Sequence, residues 1–118
     1  MKNNSVKSEI FVLATSKEEE LLQAYPWRLR EFLEQSKDLC FAAIKADPNV
    51  LCFIRNQSEE MCLEAVRRDY RVLPFVREIN DCIAREALAI NPKAIYYFPQ
   101  QWFKKYINEV SKELFPMQ

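Results

Sequence analysis

The sequence predicts an all-α protein, a short α-solenoid of tandem helical hairpins closed by a longer C-terminal capping helix. Three observations predict it. A 22-residue register recurs along the chain, apolar residues inside each unit follow helical spacing, and helix-capping residues return at matched positions. The 118 residues fit a single domain, and a hydrophobic share of 49% is enough to build a core.

The register is clearest between residues 35–56, QSKDLCFAAIKADPNVLCFIRN, and residues 57–78, QSEEMCLEAVRRDYRVLPFVRE. Nine positions are identical: Gln, Ser, Cys, Ala, Asp, Val, Leu, Phe and Arg. Chance overlap would give about one or two. Residues 79–100 continue at the same offset, aligning Ala43, Ala65 and Ala87, then Leu51, Leu73 and Ile95, then Phe53, Phe75 and Tyr97. A weaker unit at 13–34 places Leu21 and Leu22 over Ala43 and Ile44, and Leu29 over Leu51. Stacked units bury one another's apolar faces, which a lone hairpin cannot do.

Taken in order, residues 5–14, with Ile10, Phe11, Val12 and Leu13, read as a short N-terminal helix, a strand being the alternative. Thr15 or Ser16, followed by Glu18, Glu19 and Glu20, is a helix start. In each later unit a first helix opens at Ser36, Ser58 or Asn80, with acids in its first turn to complement the helix dipole. Its inner stripe is Cys40, Ala43 and Ile44, then Cys62, Ala65 and Val66, spaced i, i+3, i+4. Asp47, Asp69 and Asn91 cap a short second helix, with Pro48 and Pro92 at its first position, where a missing N–H costs nothing. Val50, Leu51 and Ile54 form its buried stripe. Pro74, aligned with Cys52, should delay or kink that helix in the third unit. Pro99 starts the cap, residues 99–118, with a stripe of Trp102, Phe103, Tyr106, Ile107, Val110 and Leu114.

The pattern C-x-x-A-[IV]-x-x-D-x-x-[VL]-L-x-F-[IV] in these units resembles a bacterial family of short helical repeats catalogued as a domain of unknown function. The resemblance covers residues 35–98 well and 13–34 loosely. Asp-Pro, Asp-Tyr and Asn-Pro stand at turns where that family often has Asn-Gly or Asp-Gly. The resemblance implies architecture and supplies no catalytic residues.

Composition limits the function. Seventeen basic and 17 acidic residues cancel, so the basic excess of a phosphate-binding protein is missing. The chain has no glycine, which removes Gly-rich phosphate cradles, and no histidine, which removes the commonest zinc ligand and proton carrier. No apolar run approaches a membrane span and no signal-peptide core opens the chain, so a cytoplasmic protein is expected. The four cysteines form no C-x-x-C pair. Cys40 and Cys62 read as buried apolar residues, whereas Cys82 at a helix start reads as the most reactive thiol. No metal, cofactor or catalytic residue is assigned, and the chain is read as a non-enzyme.

The partner-binding candidates fall in two groups. Arg67, Arg68, Arg71 and Lys93 lie with Lys45 along the edge between the two helices of each unit, facing a rim of Asp38, Glu59, Glu60 and Asp81 on the opposite edge. The dipole preference of bases for helix C-termini accounts for such rims equally well. Tyr96, Tyr97 and Trp102 belong to an aromatic run too dense for one helix face, so part of it should be exposed, where Tyr and Trp serve as interface anchors. Trp27 with Arg28 and Arg30 is a smaller candidate. The expected function is a protein–protein interaction module, an adaptor or an inhibitor docking on a larger protein. The alternative is a nucleic-acid binder using the Arg/Lys rim. An enzyme would need thiol or carboxylate chemistry in a pocket.

Overall fold

The computed structural model describes residues 16–116, which form nine helical segments and no strand. Five are α-helices: α1 (Lys17–Ala24), α2 (Lys37–Ala46), α3 (Glu59–Arg68), α4 (Asp81–Ile90) and α5 (Gln100–Leu114). Between them lie four six-residue 3-10 helices: η1 (Pro26–Glu31), η2 (Pro48–Phe53), η3 (Tyr70–Phe75) and η4 (Pro92–Tyr97). Among these segments, close contact is made within a unit or between adjacent units, the pattern of a solenoid. Residues 5–14 lie outside the described residues.

Capping residues set each boundary. Ser36, Ser58 and Asn80 accept the backbone N–H of Leu39, Met61 and Ile83, and Ser16 forms a full capping box with Glu19. Of the two candidates for the first start, the chain uses Ser16, and α1 has eight residues where α2, α3 and α4 have ten. Asp47, Asp69 and Asn91 accept the N–H two residues on and turn the chain into η2, η3 and η4.

The second helix of each unit is thus a 3-10 helix. Six residues between two extended caps are too few for a stable α-helix, and i→i+3 bonds close on a shorter segment. This also corrects the expectation for Pro74. It neither delays nor kinks η3, which covers the same span as its equivalents. Pro74 is solvent-exposed at the fifth position, so the ring removes one i→i+3 bond and meets no neighbouring layer.

The core is the repeat made solid. Cys40, Ala43 and Ile44, then Cys62, Ala65 and Val66, are buried on the inner face of the α layer. Leu29, Leu51, Leu73 and Ile95 are buried at the same position of successive 3-10 helices. In α5, Tyr106 and Val110 are buried while Trp102, Phe103, Ile107 and Leu114 pack partly buried against the core. Burying a Leu or Ile side chain contributes about 1.5–3 kcal/mol, so this column is the largest repeated source of stability.

A second repeated device is polar. Gln35 Nε2 donates to the carbonyls of Leu29 (3.1 Å) and Phe53 (2.9 Å), while its Oε1 accepts the N–H of Arg55 (3.0 Å). Gln57 repeats this on Leu51 (3.0 Å), Phe75 (2.8 Å) and Arg77 (3.0 Å). The Arg55 guanidinium donates to the carbonyls of Phe32 and Leu33, and that of Arg77 to Ile54 and Arg55. Each Gln and Arg therefore ties its own unit to the one before.

Candidate functional site

The rim basic residues come to the carboxyl ends of the α-helices, but largely paired. Arg67 Nε lies 3.2 Å from Glu86, Arg68 Nε 2.7 Å from Glu64, and Arg71 Nε 2.9 Å from Asp69. The hydrogen bond from Arg71 holds the Asp69 carboxyl below the usual range. Glu86 reaches back to the preceding unit, whereas Glu64 pairs within its own helix. Lys93 has no carboxylate within ion-pair distance among the described residues. Arg67, Arg68 and Arg71, with Asp69, Tyr70 and Ile90, line an open depression of about 400 Å³.

The tyrosines lie on η4. Tyr96 is 56% exposed and Tyr97 37%, and together with Leu73, Pro74, Val76, Phe98 and Pro99 they line a second depression of about 320 Å³. Tyr97 meets Tyr70 edge to face, with ring centroids 5.9 Å apart, so Tyr70 links the two depressions. The structure therefore joins Arg67, Arg68, Arg71, Tyr96 and Tyr97 in one continuous surface.

Trp102 lines neither depression. Its ring stacks on Tyr106 at 6.1 Å, and Lys105 Nζ sits 4.7 Å above it. Lys105 and the Tyr106 hydroxyl both donate to Asp81, the first residue of α4. Ile90, which lines the Arg depression, is at the other end of that ten-residue helix, about 14 Å away at 1.5 Å per residue. Trp102 thus closes the end of the stack, and its partial burial reflects that packing.

The thiols sort by burial. Cys40 and Cys62 are buried, and burial pushes the Cys62 thiol up to about 11. Cys82 is exposed as expected, but the site does not activate it. Partial desolvation and the neighbouring Glu59 carboxylate raise its pKa, which lowers the thiolate fraction. Among the described residues no group of His, Cys, Asp and Glu side chains is arranged to hold a metal ion. No helix among them is long and apolar enough to cross a membrane.

The residues missed from sequence are Gln35, Gln57, Arg55 and Arg77. Their signal was present, since Gln and Arg are among the nine positions identical between the two central units. Polar identities in a repeat point to backbone clamps as readily as apolar ones point to the core.

No family model matches this chain, and no curated protein or solved structure matches it either.

Proposed function

We infer that this chain is a protein–protein interaction module that docks on a larger partner as an adaptor or inhibitor. The observation that carries the reading is the exposed Tyr96–Tyr97 pair on a fixed 3-10 helix, joined through Tyr70 to the Arg depression. Exposed Tyr rings on a rigid scaffold give large contact area with little entropy to lose. The neighbouring Arg67, Arg68 and Arg71 can exchange their internal carboxylate partners for those of a protein surface at modest cost, because exposed ion pairs are worth about 0–1 kcal/mol. The balanced charge of the chain argues against the nucleic-acid reading, because binding through phosphate draws its affinity from a basic excess that is missing here. A cytoplasmic, non-catalytic role goes with this reading.

The test is affinity capture from the cell of origin with mass spectrometry, followed by binding measurements on the captured partner. Tyr96→Ala with Tyr97→Ala should weaken binding at least tenfold, and Arg68→Glu should weaken it further. A partner indifferent to all three changes would overturn the reading. So would tight binding to DNA or RNA that falls steeply with salt.

A further inference from the structure

The zero net charge of the chain conceals a separation between its two layers. The five α-helices carry nine basic and eleven acidic residues, a net of −2. The four 3-10 helices carry Arg28, Arg30, Arg71 and Lys93 against a single acid, Glu31, a net of +3. Glu31 is itself paired with Arg28 at 3.1 Å. Within the helical segments the 3-10 layer is therefore cationic and the α layer mildly acidic, while Asp47 and Asp69, the caps of η2 and η3, set two carboxylates at the edge of the 3-10 layer.

Helix geometry decides which side chains that face presents. A 3-10 helix has three residues per turn, so its second and fifth residues share a side. The third and fourth residues are the buried ones, such as Val50 with Leu51, Val72 with Leu73 and Ala94 with Ile95. The outward pairs are Trp27 with Arg30, Asn49 with Cys52, Arg71 with Pro74, and Lys93 with Tyr96. None of these eight residues is acidic. Trp27 is 49% exposed, and the Arg30 guanidinium lies 6.0 Å from both the Trp27 and the Phe53 rings, linking η1 to η2. Arg30, like Lys93, has no carboxylate within ion-pair distance among the described residues. The face thus has a ring beside an unpaired cation at each end, with Arg71 and Pro74 between.

We propose that this outward face of the 3-10 layer binds an extended acidic peptide segment of a protein partner, with Trp27 and Tyr96 as the two anchoring rings. The proposal rests on the interaction-module reading and specifies the chemistry of the partner. Charge complementarity selects the occupant: Arg30 and Lys93, which have no carboxylate beside them among the described residues, attract Asp and Glu at the two ends of the face, while Arg71 between them is held by Asp69. Its geometry suits an extended chain. Four stacked segments at about 10 Å spacing span about 30 Å, the length of about nine residues at 3.3 Å each. Single-stranded nucleic acid is the competing occupant, because aromatic rings alternating with cations can also stack bases. The peptide is favoured because the outward positions carry a ring only at the two ends, on η1 and η4, whereas a strand needs a platform for successive bases.

The experiment selects binders from a random ten-residue peptide display library on the intact protein and measures their affinities by the fluorescence of a Trp102→Phe variant. The chain has two tryptophans, so Trp27 is then the only indole reporter. The expected result is enrichment of peptides rich in Asp and Glu that also carry apolar residues, a shift of Trp27 emission on binding, and at least a tenfold loss in the Arg30→Glu, Lys93→Glu double variant. The control variant Lys104→Glu, on α5, should bind within twofold of the parent. Circular dichroism verifies that each variant is folded. Enriched peptides without acidic character, or acidic ones indifferent to the double variant, would overturn the proposal while leaving the module reading intact. Failure to enrich any peptide, with partner capture retained and sensitive to Tyr96 and Arg68, would do the same. Binding of a ten-residue oligothymidine more tightly than any selected peptide would overturn both readings.

Discussion

The two central units and the last one solve the same problem with different chemistry. In residues 35–56 and 57–78 a glutamine at the first position binds two carbonyls and one N–H, and an arginine near the end binds the turn of the preceding unit. In residues 79–100 the corresponding positions are Ile79 and Pro99. The two replacements belong together. Proline has no N–H to offer the glutamine Oε1, so a glutamine at position 79 would lose one of its three partners. Position 79 turns apolar and packs against the core, and Pro99 becomes the cap of α5. The stack is then closed by Tyr106, which meets Phe98 edge to face and reaches Asp81 with its hydroxyl. Interior units are joined to their neighbours through backbone groups, while the terminal unit is sealed by side-chain packing.

The largest expected effect tests what the units share. Leu51, Leu73 and Ile95 are equally buried at one repeat position, so truncating each to Ala should destabilise by about 2–5 kcal/mol. Chemical denaturation of the three variants measures it. A loss under half a kcal/mol at any one would mean that the 3-10 layer does not share a continuous core at that unit.

The next effect tests how the units differ. Gln57→Ala removes four hydrogen bonds and leaves the Leu51 and Phe75 carbonyls, the Arg77 N–H and the Cys62 thiol without that partner. Because water can reach part of the site, the cost should be about 2 kcal/mol. Ile79→Ala deletes only packing, so a Gln57→Ala, Ile79→Ala pair should behave additively if the clamp and the seal are independent. Strong coupling between them would show that the two regions form one cooperative device.

Much of the fold was readable because the repeat states each position more than once. Cap residues at 36, 58 and 80 and apolar residues at 51, 73 and 95 recur where geometry needs them. The 3-10 character was not readable from apolar periodicity, since six residues are too few to separate a period of 3.0 from one of 3.6. Pro74 misled for that reason, since a proline inside an α-helix is disruptive whereas near the end of a six-residue 3-10 helix it removes a single bond. The candidate surface was half legible. Tyr96 and Tyr97 are exposed, as their excess over one face implied, but Trp102 belongs to the seal. The pairing of Arg67 with Glu86, nineteen residues away, depends on how units stack, which sequence spacing alone does not fix.

Thiol labelling sharpens the comparison without unfolding the protein. Cys62 lies in a clamped interior unit, with its Sγ 3.6 Å from Gln57 Oε1 and its pKa raised to about 11. Cys82 is exposed in the last unit with a less extreme environment. A bulky maleimide at neutral pH should modify Cys82 slowly and leave Cys40 and Cys62 unmodified until denaturant is added, as read by mass spectrometry. Labelling of Cys62 at the rate of Cys82 would show that the interior clamp opens readily. The raised pKa also sets a sign for stability. The thiol form is favoured in the folded state, so its contribution is full below about pH 9 and lost as pH rises through about 11.

The smallest effect isolates the seal. Hydrogen bonds from Lys105, then from the Tyr106 hydroxyl, lower the pKa of the Asp81 carboxyl. A carboxylate with a folded pKa below its unfolded value stabilises the fold above that unfolded value, about 3.9, and loses the contribution as pH falls through the lowered folded one. Asp81 is exposed, so solvent screens the ion pair and the effect on the whole domain should be slight. It should nonetheless be local. Amide exchange in α5 should quicken as the pH drops below about 4, after correction for intrinsic rates, while that of α3 should not. Asp81→Asn should remove the pH dependence and leave α5 exchanging at the faster rate throughout. If α3 and α5 respond together, the cap is part of the cooperative stack, and the contrast between a clamped interior and a sealed end fails at its weakest link.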